Sequence, residues 1–142
     1  MHNKNIHTSN TDRSALDVLG QLLIERVRDL SIAQNDKVIF GEMKDLHSKE
    51  IHAGLLAHSV DPSALQDLIP TVVDTTIGFL LTLLDGEEVV DFVINLPGEA
   101  PIPAKSLSDG LGGELHAEDG WISKFSRQRI PYQDQIDDSA SN

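Results

Sequence analysis

The sequence predicts a mainly α fold (α+β): a helical bundle of four or five helices with a small two-stranded β element. Three observations carry this. Apolar residues recur at spacings of three and four through most of the chain. Aromatics make up only 4% of it, so Leu, Ile and Val must fill the core. Period-two alternation is confined to one short run near residue 90. At 142 residues the chain has the size of one domain and is long enough to bury roughly two-thirds of its unfolded surface.

Residues 1–11 are rich in Asn, His, Ser and Thr without apolar periodicity, and are expected to form a disordered arm. Thr11 or Asp12 then caps a first helix, in which Leu16, Leu19, Leu23, Val27 and Leu30 line one stripe. The polar run Gln34 to Lys37 gives room for a turn before a second helical segment carrying Ile39, Met43, Leu46, Ile51 and Leu55. Gly41 and Gly54 weaken that segment, and a break is expected near His47 or Ser48. Asp61 followed by Pro62 is an N-cap with Pro at the first helical position, and Pro70 is expected to end that helix or kink it into the next. From Thr71 to Leu84 the pattern has two faces. Val72, Val73, Thr76, Ile77, Leu80, Leu81 and Leu84 fall on one, and Thr71, Asp74, Gly78, Thr82 and Asp85 on the other, with Asp85-Gly86 as the stop.

Val89 to Leu96 (VVDFVINL) is short, β-branched and alternating, and is expected to be a strand. Pro97-Gly98 turns the chain, and Ile102 to Leu107 returns as its partner, held at an edge by Pro101 and Pro103. Leu107, Leu111 and Leu115 are spaced by four, as on a short helix that Ser108 can cap, although Gly110, Gly112 and Gly113 make it costly. Trp121, Ile122 and Phe125 close the apolar pattern at helical spacing. A single helical domain is therefore expected over 12–130, followed by an acidic flexible tail over 131–142.

The net charge of -12 is unevenly placed, because from Asp61 to Glu99 there are eight acidic residues and no Lys or Arg. Such a field repels phosphate backbones and anionic headgroups, so neither nucleic acid nor a membrane surface is an expected partner. The absence of Cys excludes a disulfide framework, a thiolate nucleophile and a Cys-ligated zinc site. The polar N-terminal residues show no apolar core of a secretory signal. The longest apolar stretch, Leu68 to Leu84, is interrupted by Pro70 and Asp74 and falls short of a membrane span, so a cytoplasmic location is expected.

Candidate chemistry is sparse. Ser108 to Ser126 gathers four glycines, four carboxylates, one His and the only Trp. A catalytic reading makes His116 a general base beside Glu114, Glu118 or Asp119; a packing reading makes the glycines turns, Asp119 a cap and Trp121 an anchor. The Gly110 to Gly113 run fits neither nucleotide-binding glycine pattern, and the oxygen spacing of a calcium loop is missing. His47, His52 and His58 do not form a metal set either. The spacing of five puts His47 and His52 on different faces, and His47 lies roughly 16 Å from His58 along a continuous helix. No metal and no cofactor is expected.

The stretch LGGELHAEDGWISKFS, Leu111 to Ser126, together with Val72 to Leu84, resembles segments of small bacterial proteins without assigned activity. In size, acidity and lack of a catalytic motif the chain is also similar to immunity proteins of bacterial toxin systems. The resemblance covers about a quarter of the chain and transfers no functional residue. It implies a small acidic cytoplasmic protein-binding module that neutralises a basic partner. The expected contact residues, read from the charge pattern, are Asp67, Asp74, Asp85, Glu87, Glu88 and Asp91. Two other readings stay open: a small hydrolase or isomerase built on Glu114, His116 and Asp119, and a self-associating protein that hides the second face of the Thr71 to Leu84 helix against a copy of itself.

Overall fold

The computed structural model describes residues 10–129, so the arm at 1–9 and the tail expected from 131 onward lie outside the described residues. Asn10 and Thr11, assigned to the arm, already belong to α1 (Asn10–Leu23). A π turn, Ile24–Arg28, joins α1 to α2 (Asp29–Ile39), and α3 (Leu46–Ala57) and α4 (Pro62–Gly86) follow. Two short strands, β1 (Val93–Ile94) and β2 (Ile102–Pro103), pair antiparallel, before a 3-10 turn and the short helices α5 (Leu111–His116) and α6 (Trp121–Phe125). The mainly helical class with a small β element is therefore the observed one.

The chain groups into two compact units, one made of Met1–Ile24 with Gly78–Phe125, the other of Glu25–Ile77 with Ser126–Asn142. The first has an apolar core. Leu81 and Leu84 of α4, Leu111 and Leu115 of α5 and Trp121 of α6 are almost fully buried, and α6 packs on α1. The indole of Trp121 lies against Gly20 so closely that a Cβ there would come nearer to ring atoms than van der Waals contact allows. The second unit is different. Among the described residues its buried hydrophobic side chains are Ile32, Ile39 and Ile77, beside the fully buried Pro70, and they share its interior with Arg28, Asp29, Ser48 and Asp74.

The first stripe departs from expectation after Leu23. Val27 and Leu30 are exposed, whereas Ile24, Arg28 and Ile32 are buried at spacings of four. A strict four-residue repeat drifts about 40° per step on an α-helix, and the wider π turn takes up that drift. Nor does the chain turn at Gln34 to Lys37, which stay helical. α2 stops at Gly41 (φ +74°), where the Gly41 N–H donates to the Val38 carbonyl at 3.1 Å and the Glu42 N–H to the Lys37 carbonyl at 2.8 Å. His52 adds to this end by placing Nδ1 2.9 Å from the Ile39 carbonyl, with its ring over Gly41.

Asp45 caps α3, accepting the Ser48 N–H at 2.8 Å, and that bond holds its carboxyl below its ordinary value. A depressed carboxylate contributes stability above its unfolded pKa, and that contribution is lost as pH falls through the folded pKa. Because Ser48 is the only buried residue of α3, this helix is expected to loosen on acidification below about pH 4. The Ser48 amide resonance should titrate with a midpoint below the ordinary carboxylate value. In Asp45→Asn the titration should vanish while α3 persists; a Ser48 amide that titrates unchanged in that variant would show that another group controls it.

α4 starts as expected, with the Asp61 carboxylate accepting the Ser63 N–H at 3.0 Å, but it neither ends nor restarts at Pro70. Proline lacks the N–H that would bond the carbonyl four residues back. That carbonyl, of Gln66, instead accepts from Arg129 Nη2 at 3.1 Å. Without the expected interruption, α4 is long and apolar enough to cross a membrane by length and composition, with 28% of its apolar window buried. Its buried seam runs through Pro70, Asp74, Ile77, Leu81 and Leu84, while Val72 and Leu80, assigned to the buried face, are exposed.

The expected eight-residue strand shrinks to two residues, because β2 supplies partners only at Ile102 and Pro103. Ser108 does not cap α5 either. Asp85, at the end of α4, takes that place and accepts the Leu111 and Gly112 N–H groups at 3.0 and 3.2 Å.

Candidate functional site

The six carboxylates expected to meet a partner are not equivalent. Asp74, placed by its sequence pattern on the polar face of α4, is only 4% exposed and is locked to Arg28, so it offers no charge to a partner. Asp67 is exposed but belongs to the second unit. Asp91 is half-buried, with a carboxylate oxygen 3.4 Å from the Lys105 N–H. Asp85 is exposed, and its carboxylate caps α5 by accepting the Leu111 and Gly112 N–H groups. The side chains of Glu87 and Glu88 are exposed and make no hydrogen bond or ion pair among the described residues.

What the sequence pattern missed is the apolar surface beside these acids. Phe79 (72% exposed) and Leu83 stand one turn apart on α4, and Val89 (88% exposed) and Val90 follow Glu88 directly. The signal was present as the second apolar set on α4, with Phe79 and Leu83 four apart. Among the described residues the first unit holds eleven acidic side chains against three basic, and the second unit nine against seven, so the excess negative charge belongs to the first. Cations of the first unit do not neutralise the cluster. Lys124 lies 3.7 Å from Asp17, and Lys105 meets Asp91 only through its backbone.

Comparison with protein-family models, curated proteins and solved structures returned no match. The described residues also hold a buried polar cluster.

That cluster lies in the second unit around Arg28, which is fully buried. Its guanidinium forks onto both oxygens of Asp74, at 2.5 and 3.1 Å. Its other donors reach Ser126 Oγ at 2.7 Å, Asp29 at 3.3 Å and the Arg129 carbonyl at 2.7 Å. Asp29 in turn accepts from the Ser126 hydroxyl and the Arg127 N–H, each at 2.8 Å. Arg129 forks onto Asp36 at 2.7 and 2.9 Å, and those bonds hold its guanidinium above its ordinary pKa. With all five Arg28 donors engaged, the cluster fastens the segment 126–129 to the helices and leaves the arginine no donor for a ligand.

Glu114, His116 and Asp119 are not joined to one another. The Glu114 carboxylate accepts from Ser108 Oγ at 2.9 Å, while His116 is exposed on the side of α5 nearest Gly78. Asp119 is exposed and makes no hydrogen bond among the described residues, so it does not cap α6. Trp121 is buried as an anchor, its Nε1 without an acceptor among the described residues. Among the described residues no three His, Asp or Glu side chains gather as a metal-holding group. The second unit also carries two open grooves. One, about 160 Å³, is apolar and lined by Ile39, Leu65, Leu68, Ile69, Val72 and Val73; the other, about 310 Å³, lies among Glu25, Arg26, Leu30 and Arg127.

Proposed function

We propose that this protein is a protein-binding module, of the kind that neutralises a basic partner as an immunity protein does, and that it binds through the acidic and apolar surface of its first unit. The observation that carries this reading is the eleven-to-three excess of acids among that unit's described residues, with Glu87 and Glu88 exposed next to Val89 in sequence and about two helical turns after the exposed Phe79. Carboxylates at the rim speed the encounter with a cationic surface, and apolar groups between them supply affinity once water is excluded. The same charge excess opposes an anionic membrane surface and a second copy of the chain. Asp74 drops out of the contact set, since reversing it would break the Arg28 pair and unfold what it holds.

The test is charge reversal away from any structural bond. Affinity capture from the native lysate is expected to recover a basic protein in stoichiometric amount. The double variant Glu87→Lys, Glu88→Lys should lower the association rate about tenfold or more and flatten its dependence on salt, leaving the unfolding midpoint unchanged. Recovery of an acidic partner, or association that ignores both reversals, would remove the reading. Sedimentation of the purified protein decides the self-associating alternative. A monomer across concentrations is expected, and a reversible dimer lost in Phe79→Ser would replace the proposal.

A further inference from the structure

The two-stranded sheet has two outer edges, and the chain treats them differently. Backbone groups alternate along an antiparallel ladder, pointing at the partner strand and then away from it. The register pairs Val93 with Pro103 and Ile94 with Ile102, and the Ala104 N–H donates to the Phe92 carbonyl at 2.7 Å. Phe92 and Ile94 therefore face β2, while Val93 points its N–H and carbonyl outward.

On β2 the outward positions are 101 and 103, and both are proline. Neither has an N–H to offer, and the outward carbonyl of Pro103 already accepts from Ser106 Oγ at 2.7 Å. That edge is closed to strand addition in the way natural sheets protect themselves. The β1 edge has no such guard. Val93 is 54% exposed, Asn95 is exposed, and no hydrogen bond engages the outward backbone of Val93 among the described residues. The run VVDFVINL has the composition of an eight-residue strand, yet only two of its residues are laddered. Its β-branched residues are in surplus over what the fold pairs.

We infer that the β1 edge is a docking edge for an extended, basic segment of the partner protein, which adds a third strand along Asp91, Val93 and Asn95. The inference rests on the proposed acidic surface for the sign of the partner and adds to it the backbone ladder that gives affinity in strand addition. Charge selects the occupant. The exposed Glu87 and Glu88 precede this strand by a few residues, in a unit with eleven acids against three bases among the described residues, so a segment bearing Lys or Arg is attracted and one bearing Asp or Glu is rejected. A second copy sets eleven acids against eleven and is disfavoured at this edge.

The full chain, labelled with 15N, tests this by titration with the peptide Ac-KVKVKVK-NH2. Two controls accompany it: Ac-EVEVEVE-NH2, and Ac-KVKPKVK-NH2, in which a central proline interrupts the ladder. Saturable binding of the first is expected, with amide shifts centred on Asp91, Val93 and Asn95 and exchange of the Val93 amide slowed tenfold or more. The proline peptide should bind at least tenfold more weakly, and the acidic peptide not at all. Val93→Pro, which removes only an outward N–H, should weaken the basic peptide by a similar factor, whereas Val93→Thr should not. Equal binding of the two basic peptides, or shifts confined to Phe79 and Leu83, overturns the docking edge and leaves the acidic surface standing. Failure of both basic peptides, or equal binding of the acidic one, overturns both. A free protein whose Val93 amide is already protected in a concentration-dependent dimer assigns the edge to a second copy and overturns the inference.

Discussion

Arg28→Met is expected to destabilise the protein by about 3–5 kcal/mol, because it leaves the carboxylate of Asp74 buried without a cation. The size of the effect follows from where the pair sits. Among its described residues the second unit buries Ile32, Ile39, Ile77 and Pro70, and much of the rest of its interior is this cluster. Removing the guanidinium also takes a donor away from Asp29, Ser126 and the Arg129 carbonyl, all of which it joins. Urea unfolding followed by circular dichroism measures the loss. Because two charges removed together leave less uncompensated than one alone, Arg28→Met combined with Asp74→Leu should be more stable than Arg28→Met by itself. A single-variant loss below about 1 kcal/mol, the size found for exposed pairs, would show that the cluster is not what holds this unit.

Gly20→Ala is expected to destabilise despite favouring the helix. In a solvent-facing helix the change would gain about 1 kcal/mol. Here the new Cβ meets the Trp121 indole, and forcing extra volume into a packed contact costs about 1–3 kcal/mol or more. Trp121→Ala should cost about 3–5 kcal/mol by emptying the space between α1 and α6. The two effects are linked through one contact. Gly20→Ala in a Trp121→Leu background should therefore lose little or gain, and the measured coupling should be about 0.5–3 kcal/mol. Simple additivity of the two changes would show that the close approach of Gly20 to the indole does not limit packing.

The helices were legible where apolar spacing and capping residues agree. Asp61-Pro62 starts α4 and the Leu16 to Leu23 spacing marks α1, because both signals are local. The misreadings share one cause, a polar or special residue whose partner is far away in sequence. Pro70 reads as a breaker until Arg129 takes up the Gln66 carbonyl, 63 residues away. Asp74 reads as solvent-facing until Arg28, 46 residues earlier, pairs with it. Asp85 reads as a helix stop, yet it holds the first turn of a helix 26 residues on. At the candidate site the acidic run was plain in the sequence. Which acids are spent on structure, and that Phe79, Leu83 and Val89 lie exposed among them, required coordinates. The VVDFVINL run shows the converse case. Its strand signal is strong, and the fold satisfies only a quarter of it.

The Arg28 cluster also sets an order of events. Asp74 can meet the arginine early in synthesis, but the Ser126 hydroxyl and the Arg129 carbonyl lie 98 and 101 residues downstream of it. All of the first unit's second segment, Gly78–Phe125, must leave the ribosome before those acceptors exist. In a nascent chain that has not yet reached them, water occupies the Arg28 donors that those acceptors later take. The pairing of Arg28 with Asp74 can thus form before the bonds to Ser126 and Arg129, and the slow, non-local closure expected of such topology falls on residues 126–129.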